Sequence, residues 1–123
     1  MSLRILLVDD EEIVHQTIGD YLNECGCQVE IATDGHQALA VLQRQVCDMA
    51  LIDVRMPGID GLELLARAKQ MHPEMAVVMI TGHGDPEMES KAREQGAAGF
   101  IIKPVSLRQL DDVLQKVENS ELP

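Results

Sequence analysis

The 123-residue chain is 46% hydrophobic, which is the length of one domain with enough apolar content for a packed core. Its formal net charge of -11 argues against direct contact with nucleic acid or an anionic membrane surface, because binders of either neutralise dense negative charge with Lys and Arg. No stretch approaches the roughly 20 apolar residues that span a bilayer, and the N-terminus lacks the basic-then-apolar order of a signal peptide, so residues 1–123 are read as a single cytoplasmic domain.

Taken in chain order, a first apolar run, Leu3 to Val8, ends in Asp9 and Asp10. Val14, Ile18, Tyr21, Leu22 and Cys25 then recur at helical spacing, and Gly26 stands where that helix should stop. A second run, Val29 to Ala32, leads to the capping pair Asp34 and Gly35 and a stripe of Ala38, Leu39, Leu42 and Val46. The third run, Met49 to Ile52, ends in Asp53; turn formers Pro57 and Gly58 follow, then Asp60 and Gly61 open a helix marked by Leu62, Leu65 and Ala68. The fourth, Ala76 to Ile80, ends in Thr81 and Gly82, and its helix, Asp85 to Gln95, has little beyond Met88 and Ala92 as apolar anchors. Gly96 should end that helix. The fifth run, Gly99 to Ile102, ends in Lys103 and Pro104; Ser106 caps a last helix with Leu107, Leu110, Leu114 and Val117 on one side.

Strand and helix thus alternate five times, and the strands are continuous apolar runs, as expected where helices cover both faces of a parallel sheet. The expected architecture is a doubly wound α/β three-layer sandwich. Right-handed crossovers leave few arrangements, one of which has strand order 2-1-3-4-5 and makes the first and third strands neighbours at a topological switch point. Tyr21 and Phe100 are the aromatic residues. Cys25, Cys27 and Cys47 suggest packed, reduced thiols, and His15, His36, His72 and His83 are too scattered for a zinc site.

In that strand order Asp9, Asp10 and Asp53 converge in one cleft. Two like charges about 4 Å apart cost about 4 kcal/mol at an effective dielectric of about 20, so the cluster calls for a cation or a shared proton. An all-oxygen set without thiolate or imidazole suits a hard divalent ion, so Mg2+ is the expected cofactor, with Mn2+ as a substitute. Thr81 and Lys103 bring a hydroxyl and an ammonium to the same rim. These are the groups that phosphoryl transfer to a carboxylate requires: Asp53 to attack phosphorus in line, Lys103 and Thr81 to hold the equatorial oxygens.

These residues resemble a response-regulator receiver domain of two-component signalling, within the CheY-like superfamily. The resemblance covers nearly the whole chain. It rests on Leu7-Val8-Asp9-Asp10-Glu11, on Leu51 to Gly61, on Ile80-Thr81-Gly82 and on Lys103-Pro104, in order and at matching spacing. It implies a flavodoxin-like (βα)5 fold and a phosphorelay function. Asp53 would be the phosphoacceptor, Asp10 a direct metal ligand, Asp9 one acting largely through water, and the Arg55 backbone carbonyl a third protein ligand. Thr81 and Lys103 would bind the phosphoryl group, and the Lys103-Pro104 peptide would be cis, which costs less before proline. The resemblance also implies a sensor histidine kinase or phosphotransfer protein as donor, and a domain that catalyses its own phosphorylation and later hydrolysis. The output would leave through the fourth helix, fifth strand and fifth helix to an effector domain or partner protein, a face that can also form a homodimer. Thr81 and Phe100 would act as the switch, and Arg55 and His83 would tune the lifetime of the phosphorylated state.

Several residues keep a plainer alternative at this point. Asp9 and Asp10 have capping of the first helix as their alternative, Phe100 has core packing as its other role, and Arg55 and His83 have solvated loop positions as theirs. Three rival functions stand beside the receiver. A magnesium-dependent phosphatase would carry a second acid two positions after the nucleophile, where this chain has Arg55. A flavin or nucleotide module would need a phosphate-cradling loop after the first strand, where Asp9-Asp10-Glu11-Glu12 would repel phosphate. A degenerate receiver would bind protein without being phosphorylated.

Overall fold

The computed structural model describes residues 2–55, 58–82 and 84–119. The order is β1 (Arg4–Val8), α1 (Glu12–Glu24), β2 (Gln28–Ala32), α2 (Gly35–Arg44), β3 (Met49–Asp53), α3 (Gly61–Met71), β4 (Ala76–Thr81), α4 (Pro86–Glu94), β5 (Gly99–Ile102) and α5 (Leu107–Glu118). The strands form one parallel sheet in the order β2-β1-β3-β4-β5, as the crossover argument expects.

Strand side chains alternate between faces, and each face has its own core. On one side Ile5 and Leu7, Met49 and Leu51, and Val78 and Ile80 pack with Val14, Ile18 and Leu22 of α1 and with Leu110 and Leu114 of α5. On the other, Leu6 and Val8, Ala50 and Ile52, and Val77 and Met79 pack with α2, α3 and Ala92 of α4. Helices on both faces are the reason β1, β3 and β4 read as unbroken apolar runs. Beneath β4 and β5, α4 is held lightly, with Ala92 as its buried residue and Met88 packed partly beside it.

Helix ends follow local chemistry. Asp34, Asp60 and Asp85 each accept a backbone N–H of the helix they precede, and Ser106 forms a reciprocal capping box with Gln109. Gly26 and Gly96 take left-handed φ values of 89° and 103° just past α1 and α4, a conformation that disfavours a Cβ.

The structure departs from the sequence reading at element ends. Cys25 caps α1 at its C-terminus and is exposed, and Val46 lies beyond α2, also exposed. Leu107 opens α5 facing solvent, while Leu64, absent from the expected stripe, is fully buried. A helical period carried across a helix end misplaces Cys25, Val46 and Leu107, since the chain leaves the helix axis there. Glu11, not Asp9 or Asp10, occupies the N-cap of α1, and its side chain makes no capping bond.

Candidate functional site

Register places the cleft. Val8 pairs with Ile52, so the next residues, Asp9 and Asp53, lie side by side at the ends of β1 and β3. Asp53 pairs with Ile80, and Thr81 closes β4 beside Ile102 of β5. Lys103 follows, its N–H donating to the Thr81 carbonyl at 2.7 Å. All of these sit at the carboxyl edge of the sheet, at the switch point between β1 and β3. The Lys103–Pro104 peptide is cis.

The charged groups converge closely. Lys103 Nζ lies 2.9 Å from Glu11 Oε1, 3.1 Å from Asp9 Oδ2 and 3.7 Å from Asp53 Oδ2. Asp9 and Asp53 are 1% and 5% exposed and Thr81 1%, so three polar groups are buried at one rim. Burial, then the neighbouring Asp9 charge, pushes the Asp53 carboxyl above its ordinary range; the Arg55 N–H, 3.2 Å from Asp53 Oδ1, and Lys103 oppose this only in part. For Lys103, burial favours losing the proton, but the hydrogen bond to Glu11 and the charges of Asp9 and Asp53 outweigh it, and its pKa rises.

The donor set suits a cation. Asp9, Asp10, Glu11 and Asp53 each offer an oxygen within 4.8 Å of the others. Asp9 Oδ2 is buried without a hydrogen-bond partner; Lys103 stands at ion-pair distance but out of hydrogen-bond alignment. Among the described residues the Lys103 ammonium reaches three of these four carboxylates, Asp9, Glu11 and Asp53, which leaves negative charge that a hard, oxygen-liganded divalent ion would neutralise. The start of α3 is equally constrained. A Cβ on Gly61 would fall 2.6 Å from the Asp53 carbonyl oxygen and the Val54 Cα, so only glycine lets α3 start this close.

Of the other residues singled out from sequence, Arg55 is exposed in the loop after β3 and Phe100 is partly buried against the α2–α4 core, paired with Met79. His83, Met56 and Pro57 lie outside the described residues. Sequence reasoning assigned no role to Glu11 or His15. Glu11 joins the acidic cluster and bonds Lys103, and the His15 ring Nε2–H donates to the Asp9 carbonyl. The spacing from Glu11 to His15, one helical turn, is the signal available for the latter. A cavity of about 940 Å³ opens at the opposite edge of the sheet, among Leu3, Cys47, His72 and Met75. It contains none of the strand-end groups, so the chemistry belongs to the acidic cleft.

The family model described as the response regulator receiver domain matches residues 5–115. Sporulation initiation phosphotransferase F of Bacillus subtilis is 31% identical over 116 residues, covering 94% of each chain. The alginate biosynthesis transcriptional regulatory protein AlgB of Pseudomonas aeruginosa is 39% identical over 107 residues, and there the match covers 87% of this chain but 24% of the relative. Among solved structures, a CheY-like receiver domain protein from Methanospirillum hungatei superposes with a TM-score of 0.92 at 32% identity, covering 98% of each chain. Receiver domains in general bind Mg2+ at an acidic cluster, and this chain has such a cluster. With sheet order, strand-end chemistry and relatives in agreement, the chain belongs to the response-regulator receiver domain family and acts in phosphorelay signal transduction.

Proposed function

We propose that Asp53 is the phosphoacceptor and that residues 1–123 form a single receiver domain. What carries this is a nearly buried carboxylate at the end of β3, with Lys103 Nζ 3.7 Å away and the Asp9 carboxylate beside it. Mg2+, held by Asp9, Asp10, Asp53 and the Arg55 carbonyl, would neutralise charge on the carboxylates and the phosphoryl oxygens. An Asp53 oxygen attacks phosphorus as the donor's bond to it breaks, and Lys103 and Thr81 hold the equatorial oxygens as charge shifts. To do so Lys103 exchanges its contact with Glu11 for one with the phosphoryl group.

The donor is a sensor histidine kinase or phosphotransfer protein in the cytoplasm, and the domain catalyses both its own phosphorylation and the later hydrolysis. Arg55, where a phosphatase would carry its second acid, leaves no dedicated general acid for outside phosphoesters. Arg55 and His83, each two residues along the chain from a site residue, tune the lifetime of the phosphorylated state. Thr81 and Phe100 couple the site to the face formed by α4, β5 and α5, which addresses an effector domain or partner and can pair two copies. The light anchoring of α4 supports this, because a helix with one buried residue shifts at modest cost.

Incubation with acetyl phosphate and Mg2+, followed by intact-mass measurement, tests the reading. The expected result is a gain of one phosphoryl group, lost on adding a chelator and absent in Asp53→Asn. No gain in the unaltered protein, or an equal gain in the variant, overturns it.

A further inference from the structure

We propose that His15 is a positioning residue for the cation site, holding the peptide between Asp9 and Asp10 so that both carboxylates are presented ready-oriented. The inference rests on the magnesium reading above. His15 lies one turn into α1 with its ring partly buried, and its Nε2–H donates to the Asp9 carbonyl. A carbonyl only accepts, so the ring nitrogen facing it carries the proton.

That carbonyl belongs to the peptide linking Asp9 to Asp10. Because a peptide is planar, holding its oxygen fixes the plane from which both side chains project. Asp9 is then secured at three points. Its N–H donates to the Ala32 carbonyl at 3.1 Å, its Oδ1 accepts from the Glu11 N–H at 2.8 Å, and its carbonyl accepts from His15. Only Oδ2 is left without a hydrogen bond, buried at the cleft.

The first turn of α1 has no other side chain to do this work. Its N-cap, Glu11, makes no capping bond and turns its carboxylate to Lys103. Without the imidazole the Asp9–Asp10 peptide loses one of its three restraints, and cation binding has to supply more of the ordering of both ligands. Groups that orient metal ligands from behind typically change affinity by about 10- to 100-fold when removed.

The test compares the unaltered chain with His15→Phe, which keeps a ring but no donor, and His15→Gln, which restores an N–H donor. Thermal unfolding without metal first establishes that each is folded. Mg2+ is then titrated while backbone amide shifts of Asp10, Glu11 and Val54 are followed by NMR. The expected outcome is a Kd about tenfold weaker in His15→Phe, largely recovered in His15→Gln. An unchanged Kd in His15→Phe, or a His15→Gln variant as weak as His15→Phe, overturns the inference and leaves the phosphoacceptor reading intact. No Mg2+ response in the unaltered chain overturns both.

Discussion

At the scale of single residues, Asp53 illustrates a site in which folding and function pull in opposite directions. Its carboxyl is raised above the ordinary value of 3.8, chiefly by burial and by Asp9, so ionising it costs folding free energy. Below 3.8 the folded and unfolded chains both hold the proton. As pH climbs from there through the raised value, the unfolded chain releases its proton first, and stability falls. Asp53→Asn removes this loss, so the variant should melt higher than the parent at pH 7, with the gap closing as pH is lowered toward 3.8. Thermal melts across that range check it; a gap that does not depend on pH would show that ionisation is not the cause. Lys103 is the opposite case. Its side chain, 21% exposed, lies within ion-pair distance of Asp9, Glu11 and Asp53 and offsets part of their charge. Lys103→Ala should cost about 3 kcal/mol at pH 7, because it leaves buried carboxylates uncompensated. Urea unfolding should also show Mg2+ recovering more stability in Lys103→Ala than in the parent, since ligand binding to the folded state shifts the balance.

Elements matter here for what their ends allow. The start of α3 presses against the end of β3, and at Gly61 the atoms that a Cβ would meet are backbone, which cannot swing aside. Gly61→Ala should therefore destabilise by roughly 2 kcal/mol, within the usual cost of overpacking, and slow phosphorylation by displacing the Asp53 backbone. A melt and an acetyl phosphate time course on the same sample test both halves. The cap of α5 offers a control away from the cleft. Ser106→Ala removes one half of a capping box and should cost about 1 kcal/mol with phosphorylation unchanged. Most element cores could be read from the periodicity of Val14, Ile18 and Leu22, or of Leu110 and Leu114. The misplacements of Cys25, Val46 and Leu107 sit at helix ends, where the chain departs from the helical path and periodicity no longer reports which way a side chain faces.

Across the whole molecule, stability comes from two cores separated by one sheet, with β1, β3 and β4 contributing to both. Leu51, fully buried at the centre of β3, is two residues from Asp53 on the same face. Leu51→Ala should cost about 2–5 kcal/mol in urea unfolding, the range for a buried leucine lost from a packed interior. At temperatures where that variant remains folded, phosphorylation of Asp53 should persist, because register and not core volume places the carboxylate. α4 stands apart from this frame. With Ala92 as its buried residue, its amides should exchange with solvent faster than those of α1, which buries Val14, Ile18 and Leu22.

By itself the sequence determined the alternation of strands and helices, the sheet order among few candidates, and the acids, hydroxyl and ammonium that end four strands. Each of these is local: a strand's periodicity, a turn's residues and the residue after an apolar run are written in consecutive positions. Only the tertiary structure decided that Lys103 rests against Glu11 and Asp9 rather than on Asp53 alone, that Gly61 abuts the Asp53 backbone, and that the His15 ring reaches the Asp9 carbonyl. Such contacts depend on how far one side chain reaches over another element, and distances of a few ångströms between segments distant in sequence are set by packing, which no single stretch of chain encodes.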